Sequence, residues 1–400
     1  MSTVRARWLM TGADSVLDNG WCVADAGRVV DVGYGTPPSG CRDLGDVVLL
    51  PGLVNAHTHL ELSWLSGRVP PADSMDQWIG AMMGTRRHGL PDGVVGEDAA
   101  TRRAIEHLRA TGTVLVGDVT NTLRPVPLVT TAGMTAAVFH EILGFNPDDP
   151  RTMVDEAATR VANWPHATVV GHAPYSTSPE LFRAIARAHR GPTPLAVHLA
   201  ESQEEMEFLR TGQGPMRALL EALDVWTPGW TPPGRHPVRY LQDLGYVRQG
   251  TLIVHGVHLS PEDLDDVRAA GAVIVTCPRS NVWVGGGVPP VARFYAAGLD
   301  VAVGTDSLAS NDTLNLFDEL AALRRLAPEV DAGRLLDSAT RVGAAVLGFG
   351  ATHGRIAPGC VSQCVSVRVP SLLTRPADVE EYLVSGVPPE DVMPVDVSVA

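Results

Sequence analysis

The sequence contains no lysine, so every basic side chain other than histidine is an arginine. The 31 arginines are outnumbered by 45 acidic residues, and the formal net charge is -14. A protein that binds nucleic acid or an anionic membrane needs a basic surface. The charge balance therefore argues against both kinds of partner and favours a small-molecule substrate.

Cysteine is scarce as well: there are five, and only Cys360 and Cys364 are close in sequence, without a CxxC motif. An odd count without paired motifs predicts no disulfide framework. Residues 1–20 lack the apolar stretch of a signal peptide, and no run of about 18 apolar residues follows. We expect a cytoplasmic protein; a homo-oligomer is compatible with these features.

Between residues 51 and 354, eight apolar runs typical of buried strands alternate with segments of helical periodicity. The runs lie at 53–57, 113–118, 135–141, 168–173, 195–201, 251–256, 272–278 and 301–307. This alternation predicts an α/β fold, a TIM-like (β/α)8 barrel over residues 51–354. Further strand-like runs near both ends predict a small β-sandwich module built from residues 1–50 and 355–400.

Nearly all of the eight runs have a histidine, aspartate or glutamate as their last or last-but-one residue. The carboxyl ends of barrel strands are the face on which catalytic groups converge. One such residue alone has a second interpretation as a turn or a helix cap. The joint pattern favours an active site.

His57 and His59 are two residues apart at the end of the first run. Their side chains therefore lie on the same face of the strand and can bind one metal together. Nitrogen and carboxylate ligands suit zinc or ferrous iron. We therefore predict one divalent metal, Zn2+ first and Fe2+ as the alternative, with the ligands His57, His59, His198 and Asp306. The usual binuclear variant needs a carbamylated lysine, which this sequence cannot provide.

Glu201 follows His198 by three residues, within reach of a metal-bound water and a substrate nitrogen. It is the predicted proton shuttle, although a charge at a helix N-terminus is the competing interpretation. His255 could bind the metal too. Because four other ligands are available, we assign His255 to orienting the water and polarising the substrate. Glu201, His255 and Asp306 form the predicted catalytic set.

The motifs PGLVNAHTHLELS, GHAPYSTS, HLAES, HGVHLS, CPRSN and VGTDSLASN occur in this order along the chain. Together they resemble the deaminase branch of the amidohydrolase superfamily, which includes S-adenosylhomocysteine and aminodeoxyfutalosine deaminases and related chlorohydrolases. The resemblance implies the same metal ligands, proton transfer by Glu201, alignment of the attacking hydroxide by His255 and release of ammonia. It also implies that His172 contacts substrate, against the alternative of a structural histidine.

The stretch WIGAMMGTRRHG departs from relatives that place there a glutamate for ribose hydroxyls, and it offers Arg86 and Arg87 instead. The segments LELS, HEILGF and TDSLASN resemble the aminodeoxyfutalosine deaminases of menaquinone synthesis, and they add Glu141 and Ser307 as candidate substrate contacts. The leading expected substrate is 6-amino-6-deoxyfutalosine, with Arg86 or Arg87 pairing its carboxylate. The alternative is that both arginines are solvated helix residues.

Three other functions fit parts of the same pattern. The first is deamination of adenosine, S-adenosylhomocysteine or methylthioadenosine. The second is hydrolysis of a chloride or an amide on an s-triazine or a similar heterocycle. The third is a catalytically silent barrel used as a scaffold, which the complete set of metal and proton-transfer residues disfavours.

Overall fold

The computed structural model describes residues 1–12, 15–89 and 96–399. Its first five strands lie close together in the sequence and pair with one another. They are β1 (Ser2–Gly12), β2 (Ser15–Asp25), β3 (Arg28–Tyr34), β4 (Arg42–Asp43) and β5 (Val47–Pro51).

Eight more strands follow, each overlapping one of the eight apolar runs. They are β6 (Leu53–Thr58), β7 (Thr113–Thr120), β8 (Thr135–Ile142), β9 (Ala167–Gly171), β10 (Ala196–Leu199), β11 (Leu252–His255), β12 (Val273–Thr276) and β13 (Val301–Val303). They form two four-stranded parallel sheets, one in the order β6-β7-β8-β9 and the other in the order β10-β11-β12-β13. Parallel strands need crossover connections, and helices supply most of them here.

The first fourteen helices lie between or after these strands. They are α1 (Met75–His88), α2 (Glu97–Ala110), α3 (Pro125–Thr131), α4 (Pro150–Val161), α5 (Pro179–Ala188), α6 (Gln203–Thr211), α7 (Pro215–Ala222), α8 (Pro237–Asp243), α9 (Pro261–Ala270), α10 (Pro278–Trp283), α11 (Val291–Ala296), α12 (Leu316–Leu326), α13 (Ala332–Ser338) and α14 (Arg341–Val346). Capping explains several of the starts: the Ser178 hydroxyl accepts from the backbone N–H of Leu181, and Pro179 occupies the first position of α5.

The chain ends with β14 (Gln363–Arg368), α15 (Pro376–Val384) and β15 (Val392–Asp396). These last strands join the first five in one seven-stranded mixed sheet of order β15-β14-β5-β1-β2-β3, with β4 paired to β1. Both ends of the chain thus contribute strands to one mixed sheet. A second sheet facing it, as a sandwich requires, is not seen in the described part of the chain.

The two faces of the mixed sheet pack in different cores, and the face in the main core attaches the sheet to the rest of the protein. Leu9 and Leu49 pack in a small separate core, whereas their neighbours Trp8, Val48 and Leu50 pack in the main core. The alternation follows from the two-residue period of strands. Within the described residues, no helix has the length and apolar character needed to cross a membrane, and all five cysteines are free.

The edges of the two parallel sheets meet where their strands end. The backbone N–H of His198 donates to the carbonyl of His172 at 2.9 Å, and that of Asp306 donates to the carbonyl of His57 at 3.0 Å. Thr58 and Asp306 form a parallel bridge. These bonds bring the carboxyl ends of strands from both sheets to one place.

Gly304 sits at this junction, and its missing side chain allows the close approach of β6. A Cβ atom there would lie 2.6 Å from the carbonyl oxygen of His57 and 2.8 Å from its nitrogen. We expect Gly304→Ala to force a backbone shift and cost about 1–3 kcal/mol of stability, read as a lower unfolding temperature. Gly80→Ala is the matched control: it lies on α1 with nothing within 4 Å of the added Cβ, so it should be neutral or stabilise by up to about 1 kcal/mol. Equal unfolding temperatures for the two variants would contradict this account.

Candidate active site

Four predicted metal ligands converge although they come from distant parts of the chain. His57 lies on β6 and His59 directly after it, His198 lies on β10, and Asp306 follows β13. The Oδ1 atom of Asp306 is 3.8 Å from His57 Nε2 and 3.6 Å from His59 Nε2. The rings of His57 and His198 are 5.0 Å apart between centroids.

The donor set fits a divalent cation. The ligand atoms of His57, His59 and Asp306 lie within 4.8 Å of one another, and those of His57, His198 and His255 do so too. His57 Nε2 is buried and has no hydrogen-bond partner in the described residues. A buried polar atom without a partner is costly, about 1–3 kcal/mol, and a metal bond would remove that cost.

Protonation states at the site suit metal binding. Burial, followed by the neighbouring imidazoles, lowers the pKa of His57 well below its ordinary value. Burial likewise lowers the pKa of His198 to about 3. Burial alone would raise the pKa of Asp306, but His59, His255 and the Ser280 hydrogen bond together bring it below the ordinary value. These shifts favour neutral imidazoles at His57 and His198 and a carboxylate at Asp306, the forms that bind metals.

Neighbouring polar groups orient these ligands. The Ser280 hydroxyl donates to Asp306 Oδ2 at 2.6 Å, so Oδ1 is the oxygen that faces the histidines. His198 Nδ1 is 3.1 Å from the carbonyl oxygen of His172, which fixes the proton on Nδ1 and leaves Nε2 with its lone pair. Outer-shell bonds of this kind set the tautomer of metal-binding histidines.

The backbone at the site is strained at three residues. Ala200, His255 and Asp306 have φ angles of 53°, 75° and 58°, in the left-handed region that side chains disfavour. Such residues cost of order 1–3 kcal/mol each unless their surroundings hold them. All three follow or end strands whose carboxyl ends face the site, so the strain is concentrated where the side chains must be aimed.

Glu201 and His255 form a pair beside the ligand cluster. Glu201 Oε1 is 3.4 Å from His255 Nε2. The side-chain amide of Asn281 donates to His255 Nδ1 at 2.9 Å, which puts the imidazole proton on Nε2, facing Glu201. Burial, and then the charges of Asp306 and Glu205, raise the pKa of Glu201 well above its ordinary value. A carboxyl group with this environment can hold a proton near neutral pH and deliver it.

These residues open into a cavity of about 300 Å³ with two chemically different parts. The polar part contains three of the predicted ligands, together with the Glu201–His255 pair. The apolar part is formed largely by one face of α1 and by α7; its lining side chains include Leu62, Met75, Trp78, Ile79, Met82, Met83, Leu219 and Leu220. A cavity of this size and character is typical of a small-molecule site.

The predicted substrate-binding residues separate into two groups. His172, Glu141, Ser307 and Arg86 line the cavity, whereas Arg87 does not, although both arginines are exposed. The difference follows from helix geometry. Arg86 lies on the face of α1 that carries Met75, Trp78 and Met82. Arg87 is rotated from Arg86 by about 100° around the helix axis and therefore lies on another face.

Glu141 has partners within the protein as well. Asn121 donates to its Oε2 at 3.0 Å, and its Oε1 is 3.4 Å from His198 Nδ1. The side chain of His172 is engaged through Nδ1, which lies 2.6 Å from the Ser176 hydroxyl. The Ser307 hydroxyl is 3.1 Å from that of Ser310.

Several residues that the structure brings to the site could not be assigned a role from the sequence. Ser280 and Asn281 lie in the CPRSN motif, but nothing in the motif indicates which side chain each one contacts. Asn55 joins the strand of His57 to that of Asp306, since its side chain bonds both the backbone and the hydroxyl of Thr305. Asparagine inside an apolar strand run was the available signal for Asn55.

Comparison with known proteins agrees with this geometry. Residues 48–386 match the model of a family described as the amidohydrolase family. An aminodeoxyfutalosine deaminase from Deinococcus radiodurans is 33% identical over 328 residues, covering 78% of this chain and 76% of that protein. A 5-methylthioadenosine/S-adenosylhomocysteine deaminase from Nitratidesulfovibrio vulgaris is 32% identical over 371 residues, covering 86% and 78%.

Among solved structures, Helicobacter pylori aminofutalosine deaminase in complex with methylthio-coformycin superposes with a TM-score of 0.84. It is 24% identical, and the superposition covers 96% of this chain and 97% of that one; the likeness supports the fold. Because the family match extends over most of the chain and the curated relatives cover three quarters of it or more, this chain belongs to the amidohydrolase family and is a metal-dependent hydrolytic enzyme.

Proposed function

We propose that this protein removes an amino group from the purine ring of a nucleoside by hydrolysis, releasing ammonia. The observation that carries the proposal is the pair Glu201–His255, with 3.4 Å between Oε1 and Nε2, beside the cluster of metal ligands. Deamination of a cyclic amidine needs an activated water and a group that moves protons to nitrogen. The pair and the cluster offer both on one side of the cavity.

The proposed metal ligands are His57, His59, His198 and Asp306, which would hold one divalent ion. Three imidazoles and a carboxylate favour Zn2+, with Fe2+ as the alternative. The absence of lysine from the sequence supports one ion, because no carbamylated bridge can form. When bound, the metal supplies Lewis-acid activation of water at the reacting carbon.

The protein's own groups carry the proton movements in this proposal. Glu201, protonated because it is buried, gives its proton to the ring nitrogen adjacent to the carbon that water attacks. It then accepts the proton that the attacking water loses and passes it to the amino group, which departs as ammonia when the carbon–nitrogen bond breaks. The hydroxyl group left on the carbon becomes a carbonyl group by returning its proton to Glu201, which restores the starting state. His255, protonated on Nε2, donates a hydrogen bond that orients the water.

We also propose that the two parallel sheets form one closed (β/α)8 barrel over residues 51–354. The backbone bonds from His198 to His172 and from Asp306 to His57 support closure at both edges. The proposed second unit consists of residues 1–50 and 355–400. The contact of α15 with α12 and α13 ties the two units together.

The proposed substrate is 6-amino-6-deoxyfutalosine, an adenine nucleoside that ends in a carboxyphenyl ketone. The apolar part of the cavity suits the phenyl group, and Arg86 on its wall suits the carboxylate. A methylthioadenosine or S-adenosylhomocysteine substrate is the second candidate, because a relative of nearly equal identity bears that name.

The metal ligands give a direct prediction. His57→Ala or Asp306→Ala should reduce the bound metal from one ion per chain to well below half, because each change removes one bond of the set. Elemental analysis of purified protein measures this. The matched control is Asp300→Ala, an exposed aspartate just before β13, which should keep full metal content. Full occupancy in Asp306→Ala would exclude Asp306 as a ligand.

The role of Glu201 is tested by its isosteric amide. Glu201→Gln should lower kcat by about 100-fold or more while metal content and unfolding temperature stay close to those of the original protein. The comparison variant is Glu207→Gln, whose side chain is exposed on α6, and its kcat should be unchanged. Near-full activity of Glu201→Gln would refute the proton shuttle.

Ammonia release from a panel of nucleosides tests the substrate. We expect kcat/KM for aminodeoxyfutalosine to exceed those for adenosine, S-adenosylhomocysteine and methylthioadenosine. Arg86→Gln should lower kcat/KM for the carboxylate substrate by about tenfold, the value of one charged hydrogen bond, and leave adenosine unaffected. Arg87→Gln, one residue further along the same helix, is the matched control and should change neither.

The panel also separates the rival functions. Equal or better turnover of adenosine or S-adenosylhomocysteine would reject the proposed substrate and keep the deaminase. Chloride release from a chlorinated s-triazine without any ammonia release from aminopurines would reject deamination itself.

A further inference from the structure

The short segment between β10 and α6 carries Glu201, and its backbone is unusual. Ala200 has a φ of 53°, a conformation that alanine rarely adopts. Glu201 itself is almost fully buried. The position of its carboxyl group therefore depends on whatever holds the peptide between Ala200 and Glu201 in place.

Glu205 holds that peptide from one side. Its Oε1 accepts from the backbone N–H of Ala200 at 2.9 Å, and its Oε2 accepts from that of Glu201 at 3.0 Å. The Glu205 side chain has no exposed surface. Both of its oxygens are thus committed to the backbone of the segment that aims Glu201.

This arrangement differs from ordinary helix capping. Ser202 is the N-cap of α6, and its hydroxyl accepts from the N–H of Glu205. In a capping box, the glutamate at this position returns to the N–H of the cap residue itself. Here it reaches the two N–H groups that precede the cap. Its bonds therefore serve the catalytic segment and not the first turn of the helix.

The opposite side of the segment is held by backbone groups. The N–H of His258 donates to the carbonyl of Ala200 at 2.9 Å. Gly286 packs so closely that an added Cβ atom would lie 2.6 Å from the carbonyl oxygen of Glu201. His258 Nε2 in turn donates to the carbonyl of Gly286 at 2.6 Å. With these contacts in place, Glu205 is the side chain that determines where the N–H groups of the segment point.

We propose that Glu205 is a positioning residue for the reaction: it fixes the backbone of Ala200 and Glu201 so that the Glu201 carboxyl group faces His255 and the cavity. This inference rests on the proposed role of Glu201 as the proton shuttle. Glu205 does not line the cavity, so it acts through Glu201 and not on the substrate.

A double-mutant cycle tests the inference by asking whether Glu205 matters once the Glu201 carboxyl group is gone. Glu205→Gln alone should lower kcat by about tenfold or more, with KM and metal content within about twofold of the original values. In the Glu201→Gln background the same change should alter kcat by less than about twofold, because its effect passes through the missing carboxyl group. Enzyme in excess over substrate, followed for hours, resolves the slow rates.

Controls separate this role from a structural one. Glu207→Gln, exposed on the same helix, should leave kcat unchanged in both backgrounds. Glu205→Asp keeps the carboxylate but moves it away from the two N–H groups. The same cycle with this variant should show a smaller loss of kcat in the original background and almost none in the Glu201→Gln background. It also serves if the glutamine variant does not fold.

Several outcomes would overturn the inference. They are an unchanged kcat in Glu205→Gln, equal losses in both backgrounds, a rise in KM with loss of metal, and failure of both Glu205 variants to fold. Failure of the proposed function looks different: the original protein would release no ammonia, or Glu201→Gln would be fully active, whatever Glu205 does.

Discussion

The carboxyl ends of β6, β10, β11 and β13 meet inside the protein, and the remainder of the site follows from the burial of the side chains there. His57, His198, His255, Glu201 and Asp306 are all buried there. Burial lowers the pKa of His57 and His198 and raises the pKa of Glu201. Unpaired polar atoms are costly in such a place. Supporting bonds hold three of these side chains: Ser280 bonds Asp306, the carbonyl group of His172 bonds His198, and Asn281 bonds His255. Strained backbone at Ala200, His255 and Asp306 completes the arrangement, because it aims these side chains inward.

The cavity joins this buried polar centre to an apolar wall. One helical face provides that wall, since Met75, Trp78, Ile79, Met82 and Arg86 recur at the spacing of successive turns of α1. Thioether side chains adapt to irregular ligands. Polar and apolar groups are thus separated in space: the buried histidines and carboxylates lie at one end of the cavity, and the apolar wall lies at the other.

The sequence predicted the family, the eight strands and the enzyme class, because strand runs and the residues that end them are local patterns. It predicted the candidate ligands for the same reason, since parallel strands bring their carboxyl ends together. The hydrogen bonds that support the site could not be predicted, because they join residues far apart in the sequence. Asn281 bonds His255, 26 residues away, and Asn55 bonds Thr305, 250 residues away. Nor did the sequence separate Arg86 from Arg87, because that depends on how α1 is rotated against the cavity. Glu205 was present in the helix that follows HLAES, but its two bonds depend on the unusual φ of Ala200.

Anomalous diffraction recorded on both sides of the zinc absorption edge would test the central claim most directly. The account predicts one strong peak per chain, surrounded by His57, His59, His198 and Asp306, with Glu201 and His255 beside it and outside bonding distance. Two peaks per chain would contradict the single-metal site that the absence of lysine implies. A single peak between Glu141 and His172, which lie on the other side of His198, would contradict the assigned ligands.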